Sequence, residues 1–239
     1  MLLFYVRHGE PIYDPDSLTP LGRRQAESIA HRLSLFGLDR VFVSSSNRAA
    51  ETARPTCDIL HLEPTVLDWI NESHAWGELS VEFEPGHRHW CYDDDNMLAH
   101  FADPAVRALG PRWHEHPAFA AFPSFGNAMR RMRAAADDLL ATLGYRHDPE
   151  KFQYLVEKPS DERIALFAHE GAGILFLSTI LDIPYPLFAP SFSMQHTGMT
   201  VVEFRNRGGV CTPRVLQLSN DAHLYRDGLP LNYQRRLRF

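Results

Sequence analysis

Two arginines and two histidines in this sequence are suited to binding a phosphoryl group and attacking its phosphorus atom. Arg7 and His8 are adjacent near the start of the chain, whereas Arg48 and His169 lie far from that pair and from each other. A guanidinium group binds a phosphate dianion through two parallel N–H donors, a geometry that lysine cannot match. An unprotonated imidazole nitrogen can act as the nucleophile. These residue types could therefore carry out phosphoryl transfer if the fold brings them together.

The elements that precede these residues predict that the fold does so. Three short runs, at 2–6, 41–43 and 164–168, are continuously apolar, as buried parallel strands are. The first and third runs end directly at the residues just named, and the second ends a few residues before Arg48. The carboxyl ends of parallel strands joined by right-handed crossovers meet at one edge of a sheet, where α/β proteins bind ligands. We therefore expect one positively charged site at that edge.

Helical patterns alternate with these runs and define the fold class. Helices are predicted to begin at Thr19-Pro20, Ser124 and Gly171, and a further helix is predicted with Asn47 as its cap. Pro55 is expected to kink the second helix or to break it early. Further short strands are expected at 66–69, 200–204 and 215–218. This alternation predicts a three-layer α/β/α sandwich with a mainly parallel sheet.

The stretch from 79 to 122 follows neither a helical nor a strand period. It is crowded with aromatic, His, Asp and Pro residues. A long irregular segment within a compact domain is usually a functional lid or a disordered loop, and the many aromatic side chains argue against disorder. We therefore expect a single catalytic domain over 1–239 with an inserted cap at about 79–160.

The composition excludes several classes of partner. The chain has 239 residues, is 44% hydrophobic and carries a net charge of −6, which disfavours nucleic acid and anionic membrane surfaces. No apolar run approaches the roughly 20 residues of a membrane span. Cys57, Cys91 and Cys211 are widely spaced, as in proteins of a reducing cytoplasm. The basic stretch at 235–239 is expected to be a solvated terminus, and no pattern indicates an oligomeric state.

Four sequence blocks resemble the histidine phosphatase superfamily, which includes the cofactor-dependent phosphoglycerate mutases. They occur in that family's order and extend over the chain from residue 2 to about residue 224. The blocks are Arg7-His8-Gly9-Glu10, Leu18-Thr19 with Gly22 and Gln25-Ala26, SSSNRAAETA at 44–53, and Phe167-Ala168-His169-Glu170-Gly171. The resemblance implies a phosphoglycerate mutase-like fold and chemistry through a phosphohistidine.

The resemblance also implies a role for each matching residue. His8 would be the nucleophile, and Arg7, Arg48 and His169 would hold the phosphoryl oxygens, with His169 a third donor if protonated. Neighbouring cations favour the unprotonated, nucleophilic form of His8 by lowering its pKa. Phosphate or substrate contacts are further expected at Gly9, Thr19, Glu170 and Gly171.

The resemblance implies that an acidic residue in the segment after the second helix donates the proton to the leaving oxygen. Asn71-Glu72 there is similar to the mutase motif Asn-Glu-Arg-His-Tyr-Gly, so we assign Glu72 as the acid/base, with Asp68 and Glu78 as alternatives. Ser73 replaces the arginine of that motif, which disfavours a true mutase because the substrate carboxylate then lacks a cation.

A second departure from the family lies downstream of the first block. The family often has Thr and Asn there, as in RHGETxxN, whereas this chain has Pro11 and Asp14. A carboxylate beside a phosphate would repel it, so Asp14 is not assigned as a ligand.

The function expected from these features is metal-independent hydrolysis of small phosphomonoesters through a phosphohistidine. The alternatives are mutase-type phosphoryl transfer and a non-catalytic phosphate-binding module on the same fold. The His87/His89 and His114/His116 pairs could suggest zinc, but 13 histidines make such pairs common by chance. We therefore expect neither a metal nor an organic cofactor.

Overall fold

The structure, a computed structural model, describes residues 1–231 and 233. The basic stretch at 235–239 lies outside the described residues. The strands in chain order are β1 (Leu2–Arg7), β2 (Pro11–Tyr13), β3 (Asp16–Leu18), β4 (Arg40–Ser44), β5 (Thr65–Leu67), β6 (Ser80–Glu84), β7 (His87–Trp90), β8 (Tyr145–Asp148), β9 (Gln153–Val156), β10 (Arg163–Ala168), β11 (Met199–Glu203), β12 (Val210–Cys211) and β13 (Arg214–Asn220). The helices are α1 (Pro20–Ser34), α2 (Asn47–Leu60), α3 (Glu72–Leu79), α4 (Asp95–Ala102), α5 (Pro104–Ala108), α6 (Pro123–Thr142), α7 (Gly171–Ile180), α8 (Tyr185–Phe188) and α9 (Ala222–Arg226).

A six-stranded sheet with the order β13-β11-β1-β10-β4-β5 forms the centre of the molecule. The pairs β1–β10, β10–β4 and β4–β5 are parallel, and only the β11 and β13 side is antiparallel. The mainly parallel sheet predicted from the three apolar runs is therefore confirmed. Because β1 and β10 are central strands with helices on both sides, their side chains are buried whichever way they point.

Alternate residues of β1 belong to two different cores. Phe4 and Val6 pack with residues of α1 and α2, whereas Leu3 and Tyr5 pack with residues of α6 and α7. Successive side chains of a strand point to opposite faces, so this division places one helical layer on each face. The predicted three-layer α/β/α sandwich is confirmed.

Two predicted helix boundaries are wrong by one residue, and Pro55 does not end its helix. The cap of α2 is Ser46 rather than Asn47, because the Ser46 hydroxyl accepts the hydrogen bond from the Ala49 N–H. Pro55 lies inside α2, which continues to Leu60. The helix predicted to open at Ser124 begins at Pro123. Proline has no backbone N–H, but the N–H groups of the first helical turn have no carbonyl partner within the helix, so no hydrogen bond is lost.

The aperiodic stretch contains short ordered elements. β6 and β7 form a hairpin, and α4 and α5 follow it. Trp113 is 1% exposed and packs edge-to-face on Phe101 and Phe119, so aromatic contacts replace a regular apolar period here. α6 supplies core residues that pack with α7 in the layer on the sheet. The inserted cap at 79–160 and its role as a lid stay predictions.

None of the helices within residues 1–231 is both long and apolar enough to cross a lipid bilayer.

A cluster of charged side chains ties α6 to β8 and to the residue two positions after α7. His147 Nε2 lies 3.1 Å from Asp182 Oδ2, and His147 Nδ1 lies 3.4 Å from Asp137 Oδ2. Arg133 pairs with the same two carboxylates, 2.6 Å from Asp182 and 3.4 Å from Asp137. Burial and Arg133 lower the pKa of His147, but the hydrogen bonds to Asp137 and Asp182 outweigh them and raise the pKa to about 9.

This cluster predicts a stability change at alkaline pH. The pKa of His147 is higher in the folded than in the unfolded chain, so the stabilisation is complete below about pH 6.5 and is lost as the pH rises through about 9. We expect His147→Gln to lower the melting temperature by roughly 2 to 4 °C at pH 6 and by less at pH 10. Thermal unfolding at both pH values measures this, with the exposed His31→Gln as the control. An equal loss at both pH values would contradict it.

Candidate active site

The carboxyl ends of β1 and β10 bring the two predicted histidines together. Residue 7 of β1 pairs in register with residue 168 of β10, and the His8 N–H donates to the Ala168 carbonyl at 2.8 Å. The centroids of the His8 and His169 rings are 5.2 Å apart. Arg48, in the first turn of α2, reaches the same place and lies 3.2 Å from His169 Nδ1. The structure thus brings the residues predicted from three separate blocks to one edge of the sheet.

One hydrogen bond fixes the protonation of the His8 ring. His8 Nδ1 lies 2.7 Å from the Gly9 carbonyl oxygen, which can only accept, so Nδ1 carries the proton and donates it. Nε2 is then left with its lone pair. Burial holds the pKa of His8 well below its usual value, and the positive charge of Arg7 acts in the same direction. The neutral, nucleophilic form of the ring is therefore favoured at neutral pH.

His169 is oriented by its two ring nitrogens and in turn positions Arg48. Arg48 Nη2 donates to Nδ1, which assigns the ring proton to Nε2, where it is donated to the Ser44 hydroxyl at 2.8 Å. Burial and the charges of Arg48 and Arg7 hold the pKa of His169 well below its usual value. The neutral ring therefore holds Arg48 here, and the conditional expectation of a protonated His169 as a third phosphate donor has no support.

Arg7 is held by a carboxylate and by a backbone carbonyl. Its Nη1 lies 2.8 Å from Glu170 Oε2 and donates to the Met194 carbonyl at 2.5 Å. Glu170 also accepts from the Met194 N–H and from the Ser193 hydroxyl. A carboxylate repels a phosphate dianion, so the position of Glu170 supports a role in orienting Arg7 rather than the phosphate contact that was expected.

Arg48 is anchored in the same way by the β2–β3 hairpin. Its Nη1 donates to Asp16 Oδ1 at 2.8 Å, and its guanidinium carbon lies 5.5 Å from the centroid of the Tyr13 ring. The buried Nε atoms of Arg48 and Arg7 have no hydrogen-bond partner among the described residues. Both guanidinium side chains line the same cavity, described below, so they are placed to bind one anion.

The anchoring of Arg48 gives a prediction. We expect Asp16→Ala to lower kcat/KM for a phosphate ester by roughly tenfold, mainly through KM, because Arg48 is then no longer fixed in place. Steady-state kinetics measure this. Asp14→Ala is the matched control, since the exposed Asp14 lies in the same hairpin and makes no ion pair in the structure described. Equal losses in the two variants would contradict the assignment.

Glu72, the predicted acid/base, begins α3 and lies against the first turn of α7. Its two carboxylate oxygens accept from the N–H groups of Gly171 and Ala172 at 3.0 and 2.9 Å. Burial raises the pKa of Glu72, and these two hydrogen bonds offset part of that rise. The alternatives lie elsewhere: Asp68 is exposed and bonds Ser45, and Glu78 is paired with Arg131 at 2.7 Å. Of the three acids, Glu72 alone lines the cavity beside His8.

Three backbone or hydroxyl groups that were expected at the phosphate are already engaged. The Gly9 N–H donates to the Thr52 hydroxyl at 3.0 Å, and the Gly171 N–H donates to Glu72. The Thr19 hydroxyl donates to Glu10 at 2.7 Å and accepts from Gly22 as the cap of α1. None of these three residues lines the cavity. Sequence matching could not show this, because it reveals which residues are present and not which partners they have.

A cavity of about 400 Å³ opens beside His8. Its lining includes several residues that the sequence analysis did not assign, namely Tyr13, Trp90, Tyr92, Asp93, Ile174 and the segment 189–193. Trp90, Tyr92 and Asp93 come from the aperiodic stretch, where the concentration of aromatic residues was the available signal. His196 was also missed: its ring centroid is 5.8 Å from that of His8, and burial lowers its pKa to about 3.

The histidine pairs that could have suggested a metal do not form a cluster. Among residues 1–231 and 233, no three His, Cys, Asp or Glu side chains are grouped as a metal site requires. His89, for example, pairs with Asp94 at 3.0 Å. The histidine pairs of the aperiodic stretch therefore do not define a metal site among the described residues.

Solved phosphatases share this fold at low sequence identity. A phosphoserine phosphatase from Entamoeba histolytica, solved with 3-phosphoglyceric acid, aligns with a TM-score of 0.58 and 18% identity over 93% of this chain and 98% of that one. A mycobacterial glucosyl-3-phosphoglycerate phosphatase, solved with inorganic phosphate, aligns with a TM-score of 0.57 and 17% identity over 93% and 98%. At such identities the likeness shows a common fold. A search of curated proteins found no match.

The sequence itself identifies the family. The sequence profile of the histidine phosphatase superfamily (branch 1) matches residues 3–215, which is nearly the whole chain. The protein belongs to the histidine phosphatase superfamily. The resemblance that the four sequence blocks indicated is thereby confirmed, and the paired histidines and arginines described above lie within the matched region.

Proposed function

We propose that this protein hydrolyses phosphomonoesters, without a metal ion, through a phosphohistidine formed on His8. The observation that carries the proposal is the hydrogen bond from His8 Nδ1 to the Gly9 carbonyl, because it leaves Nε2 unprotonated in a cavity lined by two guanidinium groups. A nucleophile, a charge-stabilising pair and an acid beside one cavity are the parts that phosphoryl transfer requires.

In the first step, His8 Nε2 attacks the phosphorus atom in line with the ester oxygen. The P–N bond forms as the P–O bond to the alcohol breaks. Negative charge is spread over the three remaining phosphoryl oxygens, and Arg7 and Arg48 stabilise it. Glu72, in its protonated form, gives its proton to the departing oxygen, so that the alcohol leaves as a neutral molecule.

In the second step, water releases the phosphoryl group. Glu72, now a carboxylate, takes a proton from the attacking water as its oxygen bonds to phosphorus and the P–N bond breaks. Inorganic phosphate and neutral His8 result, and Glu72 is protonated again. The raised pKa of Glu72 supports this alternation, because a carboxyl group that serves as acid and base needs a pKa nearer neutrality.

The charges of the cavity support hydrolysis over mutase activity. Among the described residues that line it, the cationic side chains are Arg7 and Arg48, and both are needed for the phosphoryl oxygens. A phosphoglycerate mutase must also hold the carboxylate of its substrate. The other ionisable lining residues described include the acids Glu72, Asp93 and Glu170, which offer that carboxylate no positive charge.

The proposal is tested by turnover of p-nitrophenyl phosphate in the presence of a chelator. We expect steady release of p-nitrophenol and inorganic phosphate, unchanged when the chelator is added. Phosphoglycerate is assayed in parallel for isomer interconversion and for phosphate release. Interconversion faster than release would favour the mutase alternative, and binding of phosphate without turnover of any ester would favour the non-catalytic one.

A further inference from the structure

Part of the cavity wall is aromatic and is formed by Trp90 and Tyr92. Trp90 and Tyr92 stack with their ring centroids 5.6 Å apart and their planes within 9°. Trp76 packs edge-on against Trp90 at 5.0 Å and fixes its orientation. Gly171 allows Trp90 to approach α7, because a Cβ at this position would lie 2.4 Å from the indole ring. Two aromatic rings are thus held in fixed positions in the lining of the cavity.

Carboxyl side chains also line the cavity. Asp93 follows the stacked pair in the sequence, Glu170 is paired with Arg7, and Glu72 is the proposed acid/base. Burial, followed by the charge of Glu170, raises the pKa of Asp93, and burial together with all three carboxylates raises the pKa of Tyr92. Tyr92 therefore remains an uncharged phenol. No ion pair joins Asp93 to a described residue at 4.0 Å or less.

Aromatic faces combined with a carboxylate form the environment that binds ammonium groups. The negative face of a tryptophan or tyrosine ring attracts a cation within about 6 Å, most strongly when the cation is alkylated and weakly hydrated. A carboxylate at the edge of such a wall adds attraction over a longer range. A volume of about 400 Å³ is at the lower end of small-molecule cavities, so the alcohol is small.

We infer that the alcohol part of the substrate carries a positive charge, so that the substrate is the phosphate ester of a small amino alcohol. The inference rests on the proposed phosphatase function. The phosphoryl group lies against Arg7, Arg48 and His8, and the ammonium group lies against Trp90, Tyr92 and Asp93. The cavity thus offers one set of groups to each of the two opposite charges of such a molecule.

Two esters of the same shape test this inference. Phosphocholine and 3,3-dimethylbutyl phosphate differ only in that a neutral carbon replaces the quaternary nitrogen. We expect kcat/KM to be at least about tenfold higher for phosphocholine, an effect equal to a moderate cation–π and carboxylate contribution. 3-Phosphoglycerate, whose alcohol part is anionic, is expected to be the slowest of the three.

Variants of the wall then locate the effect. Asp93→Asn and Trp90→Leu are each expected to reduce the phosphocholine to dimethylbutyl ratio several-fold. Asp95→Asn is the matched control, because Asp95 is two residues away, is exposed and does not line the cavity, so the ratio is expected to stay as in the wild type.

The outcomes separate this inference from the proposed function. A ratio of one or less, with p-nitrophenyl phosphate still hydrolysed, overturns the inference and leaves the phosphatase proposal standing. An unchanged ratio in both wall variants overturns it as well. If no ester at all is hydrolysed, the proposed function fails and the inference falls with it.

Discussion

His8→Ala is expected to lower the turnover of phosphate esters by about 10⁴-fold or more, because the variant has no atom that can form the P–N bond. Substrate binding should change much less, since Arg7 and Arg48 remain in place. The backbone N–H of residue 8 still donates to the Ala168 carbonyl, so the strand end should keep its conformation. Steady-state kinetics and thermal unfolding of the same preparations measure both effects.

His196→Ala is the matched comparison for that variant. Its ring centroid lies 5.8 Å from that of His8, but it does not line the cavity. We therefore expect a far smaller loss than for His8→Ala. Turnover of His8→Ala within tenfold of the wild type, or a larger loss in His196→Ala, would show that another group is the nucleophile.

Glu72→Gln is expected to give the second largest loss, and its size should depend on the leaving group. An alkyl phosphate releases a strongly basic alkoxide, so loss of the proton donor should slow its turnover by about 10² to 10⁴-fold. p-Nitrophenolate is a weakly basic anion that leaves readily without being protonated. The first step of p-nitrophenyl phosphate hydrolysis should therefore be slowed much less by the substitution. The ratio of the two losses therefore reports proton donation, which a merely structural role would not change.

Two controls accompany this variant. A glutamine at position 72 can accept only one of the hydrogen bonds from Gly171 and Ala172, so thermal unfolding must show how much stability is lost at the start of α7. Asp68→Asn is the matched control, because Asp68 is exposed and does not line the cavity. A greater loss of alkyl phosphate turnover in Asp68→Asn or Glu78→Gln than in Glu72→Gln would move the acid/base assignment to that residue.

The sheet could be predicted from the sequence because its central strands are buried on both faces. Each of residues 164 to 168 in β10 has almost no exposure, and all five are apolar. An uninterrupted apolar run of this length therefore predicts a strand that is buried on both faces. The end of such a run shows where the chain reaches the sheet edge. Arg7, His8 and His169 stand at those ends, so their proximity followed from topology.

The partners of the site residues could not be predicted, since they depend on distances between remote elements. The carboxylate of Asp16 comes to Arg48 because the β2–β3 hairpin folds back over α2. Asp14 lies two residues earlier, and from the sequence a carboxylate in this hairpin is expected only to repel phosphate. Glu170 was expected at the phosphate but pairs with Arg7. In both cases a carboxylate fixes an arginine, which a motif does not reveal.

The aromatic wall was missed for a different reason. Trp90, Tyr92 and Asp93 lie in the stretch without helical or strand period, where positions relative to the site cannot be derived from periodicity. Trp113 packs in a core, whereas Trp90 lines the cavity, and nothing in the sequence distinguishes the two.

The most direct test is to trap and locate the phosphoryl group on the protein. The enzyme is mixed with a radiolabelled, activated phosphate ester, denatured within milliseconds and digested under alkaline conditions that preserve phosphohistidine. The Glu72→Gln variant is treated in parallel, because slower attack by water should increase the labelled fraction. We predict an acid-labile label on the peptide that contains His8, absent in His8→Ala. Sustained turnover with no label on that peptide, or a label on another residue, would contradict the account.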